Sequence, residues 1–187
     1  MAGELEVWAN SDRPEDFPDP SDTIARLAKA TRAFLAGETD LLEISVNERA
    51  LTHRLAVHIE PYFNQWHTDC EYNRLGDKAK NLPRPEEFKS SPDDTTAITI
   101  FPDIIIHRRR TSHNCAVVEV KKADNNRGID LDVAKLRGLT MAGDYEYTVG
   151  LHLIIDCRKA TISEVTAYRG GEVDDDLTAL ARELFIG

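Results

Sequence analysis

Two acidic residues and a lysine lie near the ends of two apolar segments in the middle of the chain. Asp103 lies near the start of segment 101–107, and Glu119 and Lys121 lie near the end of segment 116–122. If the two segments pair as a β-hairpin, residues whose numbers sum to about 222–224 face each other, which sets Asp103 opposite the end of the second strand that carries Glu119 and Lys121. Glu119 and Lys121 are two positions apart and therefore share one face of their strand.

This placement brings two carboxylates and an ammonium group together at one end of an otherwise apolar hairpin. Burying such charges costs free energy unless something compensates them. A divalent cation with oxygen ligands would provide that compensation. The sequence therefore predicts a cation site at this end of the hairpin.

The composition is that of one ordinary globular domain spanning 1–187. Hydrophobic residues make up 41% of the chain and charged residues 30%, and no apolar run reaches the length of a membrane span. The acidic start does not resemble a signal peptide. Three cysteines without metal-ligand spacing are interpreted as reduced core residues, so we expect a cytoplasmic protein with no membrane partner.

The net charge of −10 is concentrated at the two ends of the chain. Residues 1–20 contribute −5 and residues 172–187 contribute −4. The middle of the chain is therefore near neutral, with its basic residues in clusters. Local clusters decide whether a protein binds phosphate groups, so the overall charge does not exclude a nucleic-acid partner.

Hydrophobic periodicity predicts an α/β protein with a mixed sheet flanked by helices. We expect an extended acidic arm over 1–20 and a polar loop over 74–96. Ser45 and Glu48 have the spacing of a capping box at the start of the second helix. The predicted helices cover 22–36, 46–60, 129–143 and 175–185, and the predicted strands cover 67–73, 100–108, 115–121, 147–156 and 161–168.

One motif within this pattern is similar to a known family. Pro102-Asp103, followed after fifteen residues by Glu119-Val120-Lys121, resembles the signature of the PD-(D/E)XK nuclease superfamily, which has the restriction-endonuclease-like fold. The resemblance implies an α-β-β-β-α-β core over about 46–156. It also implies a metal-dependent endonuclease that hydrolyses phosphodiester bonds.

The resemblance gives each residue of the motif an expected role. Asp103, Glu119 and the backbone carbonyl of Val120 would hold Mg²⁺ or Mn²⁺, since these ions prefer hard oxygen ligands. Lys121 would hold or polarise the attacking water and offset phosphate charge. The group that accepts the proton stays open.

Glu48 is the expected fourth member of the catalytic and metal-binding set. Many relatives carry an acid on the first core helix, and Glu48 heads the stripe of that helix that faces the sheet. A capping role at the helix start is the alternative explanation for this glutamate.

Other side chains have weaker claims to the site. Asp69 or Glu71 could approach the metal, although a solvated or ion-paired face is the better explanation for them. Lys135 matches a place where relatives often carry an accessory polar residue, and a plain surface lysine is the alternative. We expect His53, His58 and His107 on ordinary surfaces, because the histidines lack the spacing of a zinc site.

The basic residues nearest the motif are the expected contacts to nucleic-acid phosphates: Lys122, Arg127 and Lys135. DNA is favoured over RNA as the substrate, and an RNA-directed nuclease is one alternative. A catalytically silent nuclease fold that acts as a binding or assembly module is another. The resemblance also allows a homodimer, since restriction-type enzymes often dimerise to cut both strands.

Overall fold

The computed structural model describes residues 18–75, 78–83 and 97–187. The helices are α1 (Pro20–Gly37), α2 (Thr39–Glu43), α3 (Glu48–Ile59), α4 (Ile129–Thr140) and α5 (Asp175–Phe185), with a 3₁₀ turn at Glu60–Tyr62. The strands are β1 (His67–Cys70), β2 (Arg74–Leu75), β3 (Lys78–Ala79), β4 (Asn81–Pro83), β5 (Ala97–Thr99), β6 (Ile104–His107), β7 (Asn114–Lys122), β8 (Val149–Asp156), β9 (Thr161–Arg169) and β10 (Glu172–Val173).

Six of the strands form one mixed sheet in the order β1-β6-β7-β8-β9-β10. Strands β7 and β8 are parallel, and α4 makes the crossover between them. The other neighbours in the sheet are antiparallel. The chain is therefore an α/β protein whose mixed sheet is flanked by helices, as the periodicity predicted.

Strand β7 lies at the centre of the molecule because both of its faces are covered. Its first seven residues are buried, as expected for a strand that is parallel to a neighbour and covered on both sides. Val118 and Val120 belong to the apolar cluster formed with α1, α3 and α5. Val117 belongs to the second cluster, formed with α4.

The predicted hairpin register is confirmed. Ile104 pairs with Val118 and Ile105 pairs with Val117, so the paired numbers sum to 222. Asp103 immediately precedes β6 and does not begin it. The pairing ends at Ile104, so the part of β7 beyond Val118 has no described strand beside it on this side.

The start of α3 differs from the prediction. Asn47 is the N-cap, and its side chain accepts a hydrogen bond from the Ala50 N–H at 2.8 Å. Ser45 lies outside the helix with φ of 48°, so the predicted capping box is wrong. The short helix α2 was not predicted, and β1 ends at Cys70 and not at residue 73.

Parts of the predicted arm and loop lie outside the described residues. Residues 1–17 of the acidic arm are among them, as are residues 76, 77 and 84–96. The described remainder of the predicted polar loop is not irregular, since β2 pairs with β3 and β4 pairs with β5. All three cysteines are free thiols, and no helix in the described ranges is long and apolar enough to cross a membrane.

Lys80 is an unexpected lysine in the core. Its exposed fraction is 1%, and its ammonium group donates a hydrogen bond to the Tyr147 hydroxyl at 2.7 Å. The same ammonium faces the rings of Tyr72 and Tyr147. Burial lowers the pKa of Lys80 to about 7, against the opposing charge of Asp69.

Replacing Lys80 tests this burial. The unfolded chain holds the Lys80 proton up to its ordinary pKa of 10.5, whereas the folded protein loses it near pH 7. Native stability therefore rises with pH between these two values. We expect Lys80→Met to be more stable than the natural protein at about pH 6.5 and its advantage to fall by roughly 3 kcal/mol between about pH 6.5 and about pH 9.5.

Urea denaturation of both proteins at the two pH values measures this advantage. Lys159→Met, at an exposed lysine, is the matched control and should show no such change with pH. A stability difference between Lys80→Met and the natural protein that does not change with pH would contradict the lowered pKa of Lys80.

Candidate active site

A cavity of about 440 Å³ opens where the pairing between β6 and β7 ends. The start of α3, the end of β1, the end of β7 and the first turn of α4 surround it. Its lining includes three of the four predicted catalytic residues, and Glu119 lies buried behind it. The lining residues are Glu48, Arg49, Thr52, His53, Cys70, Glu71, Asp103, Val120, Lys121 and Asp132.

Asp103 occupies the position where the ladder between β6 and β7 would continue. One of its carboxylate oxygens accepts a hydrogen bond from the Val120 N–H at 2.8 Å. The N–H and C=O of a strand residue point to the same side of the strand. The Val120 carbonyl is therefore directed toward the same open side as Asp103, as the predicted ligand set requires.

Glu119 is fully buried on β7. Its Oε2 accepts a short hydrogen bond from the Lys135 ammonium group of α4. Its Oε1 has no hydrogen-bond partner among the described residues. A buried carboxylate oxygen without a partner is costly, and a proton, a water molecule or a bound cation would each reduce that cost.

Lys121 lies between two carboxylates from different helices. Its Nζ is 2.8 Å from Asp132 Oδ2 on α4 and 3.5 Å from Glu48 Oε2 on α3. Asp132 also pairs with Lys135 at 3.1 Å. The long lysine side chain thus joins the helices on the two faces of the sheet at the end of β7.

Asp132 is the site residue that sequence reasoning missed. It is buried in the first turn of α4, and its carboxylate contacts both lysines of the site. The available signal was its spacing of three from Lys135, which places the two charges on one helix face. That spacing also fits an ordinary surface ion pair. Only the packing of α4 reveals that the Asp132 side chain is directed into the site.

Glu48 reaches the site as the first residue of α3. Its Oε1 accepts a short hydrogen bond from Asn125, while its Oε2 faces Lys121. Since Asn47 is the cap, capping does not explain Glu48. The helix start directs this glutamate into the cavity.

The pKa values of the central groups are all raised. Burial raises the pKa of Asp103, although the Val120 N–H and Lys135 oppose the shift. Burial, together with the charge of Asp103, raises the pKa of Glu119 well above its usual range. Burial alone would lower the pKa values of Lys121 and Lys135, but neighbouring carboxylates outweigh it and raise both. Burial is therefore the main cause for the two carboxyl groups, and neighbouring carboxylates are the cause for the two lysines.

The weaker acidic candidates are held by other partners. Asp69 accepts hydrogen bonds from His107 and Arg109. Glu71 accepts one from Arg49 at 2.6 Å, at the edge of the cavity. The expectation that His107 lies on an ordinary surface is wrong, because its ring is buried beside Asp69.

The three predicted phosphate contacts lie in different environments. Lys135 is buried and points to Glu119. Lys122 donates to the Ser45 hydroxyl at 2.7 Å. Arg127 is exposed beside the start of α4. Of the three, Arg127 has the solvent-facing placement that the prediction assumed.

In the described ranges, no set of three or more His, Cys, Asp and Glu side chains is arranged to hold a metal ion. The contacts supply a physical reason. Lys135 binds Glu119, Lys121 lies between Glu48 and Asp132, and the Val120 N–H holds Asp103. The ammonium groups of Lys121 and Lys135 thus already contact the carboxylates that a bound cation would also contact.

Comparisons with known proteins assign no family to this chain. No protein-family model and no curated protein matches it. A solved structure described as "Crystal structure of SSO0001" is 16% identical, covering 92% of this chain and 76% of that chain with a TM-score of 0.35. A similarity of that size identifies neither a fold family nor a function.

The buried pair of Glu119 and Lys135 generates a stability prediction. Lys135→Met leaves Glu119 buried without its ammonium partner, so we expect a loss of roughly 3 to 5 kcal/mol of unfolding free energy. Adding Glu119→Gln replaces the unpaired buried carboxylate by a neutral amide and should recover part of the lost unfolding free energy. Urea denaturation of the two single variants and the double variant measures the coupling. Strictly additive effects would show that the two side chains do not stabilise each other.

Proposed function

We propose that this chain is a metal-dependent endonuclease of the PD-(D/E)XK kind that hydrolyses phosphodiester bonds, with DNA favoured as substrate. The observation that carries the proposal is the convergence of Asp103, Glu119 and Lys121 at one open strand end. Glu119 there holds a buried carboxylate oxygen without a partner among the described residues.

The order of elements supports the same proposal. α3, β1, β6, β7, α4 and β8 follow one another in the α-β-β-β-α-β order of a restriction-endonuclease-like core, apart from the four short strands β2–β5. Asp103 lies at one end of β6, and Glu119 and Lys121 lie on the adjacent β7. Chain order alone is shared by unrelated folds, so the function is argued from the site.

The charges of the site fit a divalent cation. Glu48, Asp103, Glu119 and Asp132 oppose the ammonium groups of Lys121 and Lys135, which leaves a formal charge of −2 when all are ionised. Asp103, Glu119, the Val120 carbonyl and Glu48 would hold Mg²⁺ or Mn²⁺, since all of them offer hard oxygen atoms. A bound metal ion supplies Lewis-acid stabilisation of the phosphoryl oxygen and lowers the pKa of water.

The lysines have separate roles in this proposal. Lys121 borders the cavity and is positioned by Asp132 and Glu48, so it can hold a water molecule or offset phosphate charge. Lys135 lies behind Glu119 and orients that carboxylate. Arg127, exposed at the loop before α4, is the remaining candidate for a contact to a flanking phosphate.

A catalytically silent binding module is the second candidate function. The observation that favours it is that protein donors already bind two of the carboxylates. Lys135 binds Glu119, and the Val120 N–H binds Asp103. In a silent module these contacts would be permanent. In a nuclease, metal binding would compete with them.

Removal of the Lys121 ammonium group tests the proposed activity. We expect the natural protein to nick supercoiled plasmid DNA with Mg²⁺ or Mn²⁺ and Lys121→Ala to lose at least about 100-fold in rate, since a group that stabilises developing charge is absent. Lys159→Ala, at an exposed lysine, is purified in parallel to exclude contaminants. Equal cleavage by the Lys121 variant would contradict the proposal, and single-stranded RNA in the same assay tests the RNA-directed alternative.

Calorimetry with Mn²⁺ separates the nuclease from the silent module. We expect the natural protein to bind Mn²⁺ and Asp103→Asn to weaken the affinity at least about tenfold, because one charged oxygen ligand is lost. Asp69→Asn, whose carboxylate contacts His107 and Arg109, serves as the matched control and should retain binding. An absence of measurable binding by the natural protein would favour the silent module.

A further inference from the structure

Arg49 stands at the edge of the cavity, next to Glu48 in the first turn of α3. Its side chain is 81% exposed, and its Nε donates a hydrogen bond to Glu71 Oε1 at 2.6 Å. Glu71 is its hydrogen-bond partner among the described residues. A guanidinium group carries five N–H donors, so the donors on its two terminal nitrogens are available to a ligand.

Glu71 is held in an unusual backbone conformation that directs it to Arg49. Its φ of 49° lies in the left-handed region, which costs a residue other than glycine roughly 1 kcal/mol or more. Its N–H donates to the Asp103 carbonyl at 3.3 Å. Glu71 therefore connects the backbone of the predicted metal ligand Asp103 with the guanidinium group of Arg49.

The ion pair between Arg49 and Glu71 costs little free energy to break. Both side chains are substantially exposed, at 81% and 43%, and an exposed ion pair contributes at most about 1 kcal/mol to stability. A phosphate group offers the guanidinium two oxygen atoms and a charge-assisted, bidentate geometry. Transfer of Arg49 from Glu71 to a phosphate would therefore cost little.

The lysines described around the cavity already contact other side chains. Lys121 and Lys135 contact Asp132, and Lys122 donates to Ser45. Glu48 and Asp103 give the cavity wall a negative potential that opposes an entering phosphate. A substrate phosphate would therefore gain from a second cationic contact at the cavity besides Lys121.

We propose that Arg49 binds a phosphate group of the nucleic-acid substrate in this cavity and that Glu71 holds Arg49 in the free protein and releases it when the phosphate binds. The inference rests on the proposed nuclease function and names a substrate-binding residue outside the predicted site set. It assigns to the strained turn after β1 the role of holding the guanidinium group ready beside Asp103.

Binding of a fluorescein-labelled DNA duplex, measured by anisotropy at several salt concentrations, tests the inference. All variants carry Lys121→Ala so that cleavage does not interfere. Arg49→Gln retains a donor for Glu71 but lacks the charge, and we expect its affinity to fall about five- to tenfold. Loss of one phosphate contact should also reduce the slope of log K against log salt by about 0.9. Arg49→Lys should restore the slope.

Glu71→Gln tests the release of Arg49 from Glu71 to the phosphate. Because it removes the competing carboxylate, we expect it to tighten DNA binding about threefold and to leave the salt slope unchanged; unchanged or weaker binding would contradict the release. Arg182→Ala, at an exposed arginine of α5 away from the cavity, is the matched control and should change neither quantity. Urea midpoints of all variants separate effects on binding from effects on folding.

The outcomes distinguish this inference from the proposed activity. If the natural protein cleaves DNA and Arg49→Gln alters neither affinity nor slope, the inference is wrong and the nuclease proposal stands. If the natural protein does not cleave but Arg49→Gln lowers both quantities, the phosphate contact stands and the activity is wrong. An equal loss of affinity in Arg49→Gln and Arg49→Lys, or no DNA binding by any protein, would overturn the phosphate contact.

Discussion

The structure depends on a carboxylate that is removed from water in its central strand. Glu119 is fully buried in β7, where an unpaired charge would cost several kcal/mol. Lys135 compensates one oxygen, and Asp132 in turn holds Lys135. This requirement ties α4 to the sheet by charge as well as by apolar packing.

Lys135 compensates the charge of Glu119 only in part, because the second carboxylate oxygen has no partner among the described residues. The carboxylates outnumber the ammonium groups, and the pKa values of Asp103, Glu119, Lys121 and Lys135 are all raised. Burial raises the pKa values of the two carboxyl groups, and neighbouring carboxylates raise those of the two lysines. The divalent cation that we propose would compensate the carboxylates that the two lysines do not balance.

The topology of the sheet places these groups around one cavity. Pairing between β6 and β7 stops at Ile104, which leaves the Val120 backbone open to Asp103. The parallel connection from β7 to β8 carries the start of α4 past the same strand end. On the other face, α3 begins there and brings Glu48 and Arg49 to the cavity. Three independent chain segments thus meet at the end of one strand.

Much of the fold, and three of the charged residues that meet at the cavity, were predictable from local patterns. The isoleucine and valine runs predicted the hairpin and its register, because the side-chain period of a strand determines which residues face each other. Asp103, Glu119 and Lys121 followed from that register. The capping box at Ser45 was a wrong prediction, since Asn47 offered the same chemistry two residues later. Lys80 was assigned to a polar loop because its burial depends on Tyr147, which is distant in the sequence.

The sequence by itself determined the α/β class, the hairpin and the three charges at its end, since each of these depends on residues that are near in the chain or paired by a simple register. Only the tertiary structure decided that Lys135 lies inside, that Asp132 joins both lysines and that Glu71 holds Arg49. Those contacts join helices and strands from opposite faces of the sheet. The direction of a charged side chain on a helix depends on what packs against it, and local periodicity does not specify that packing.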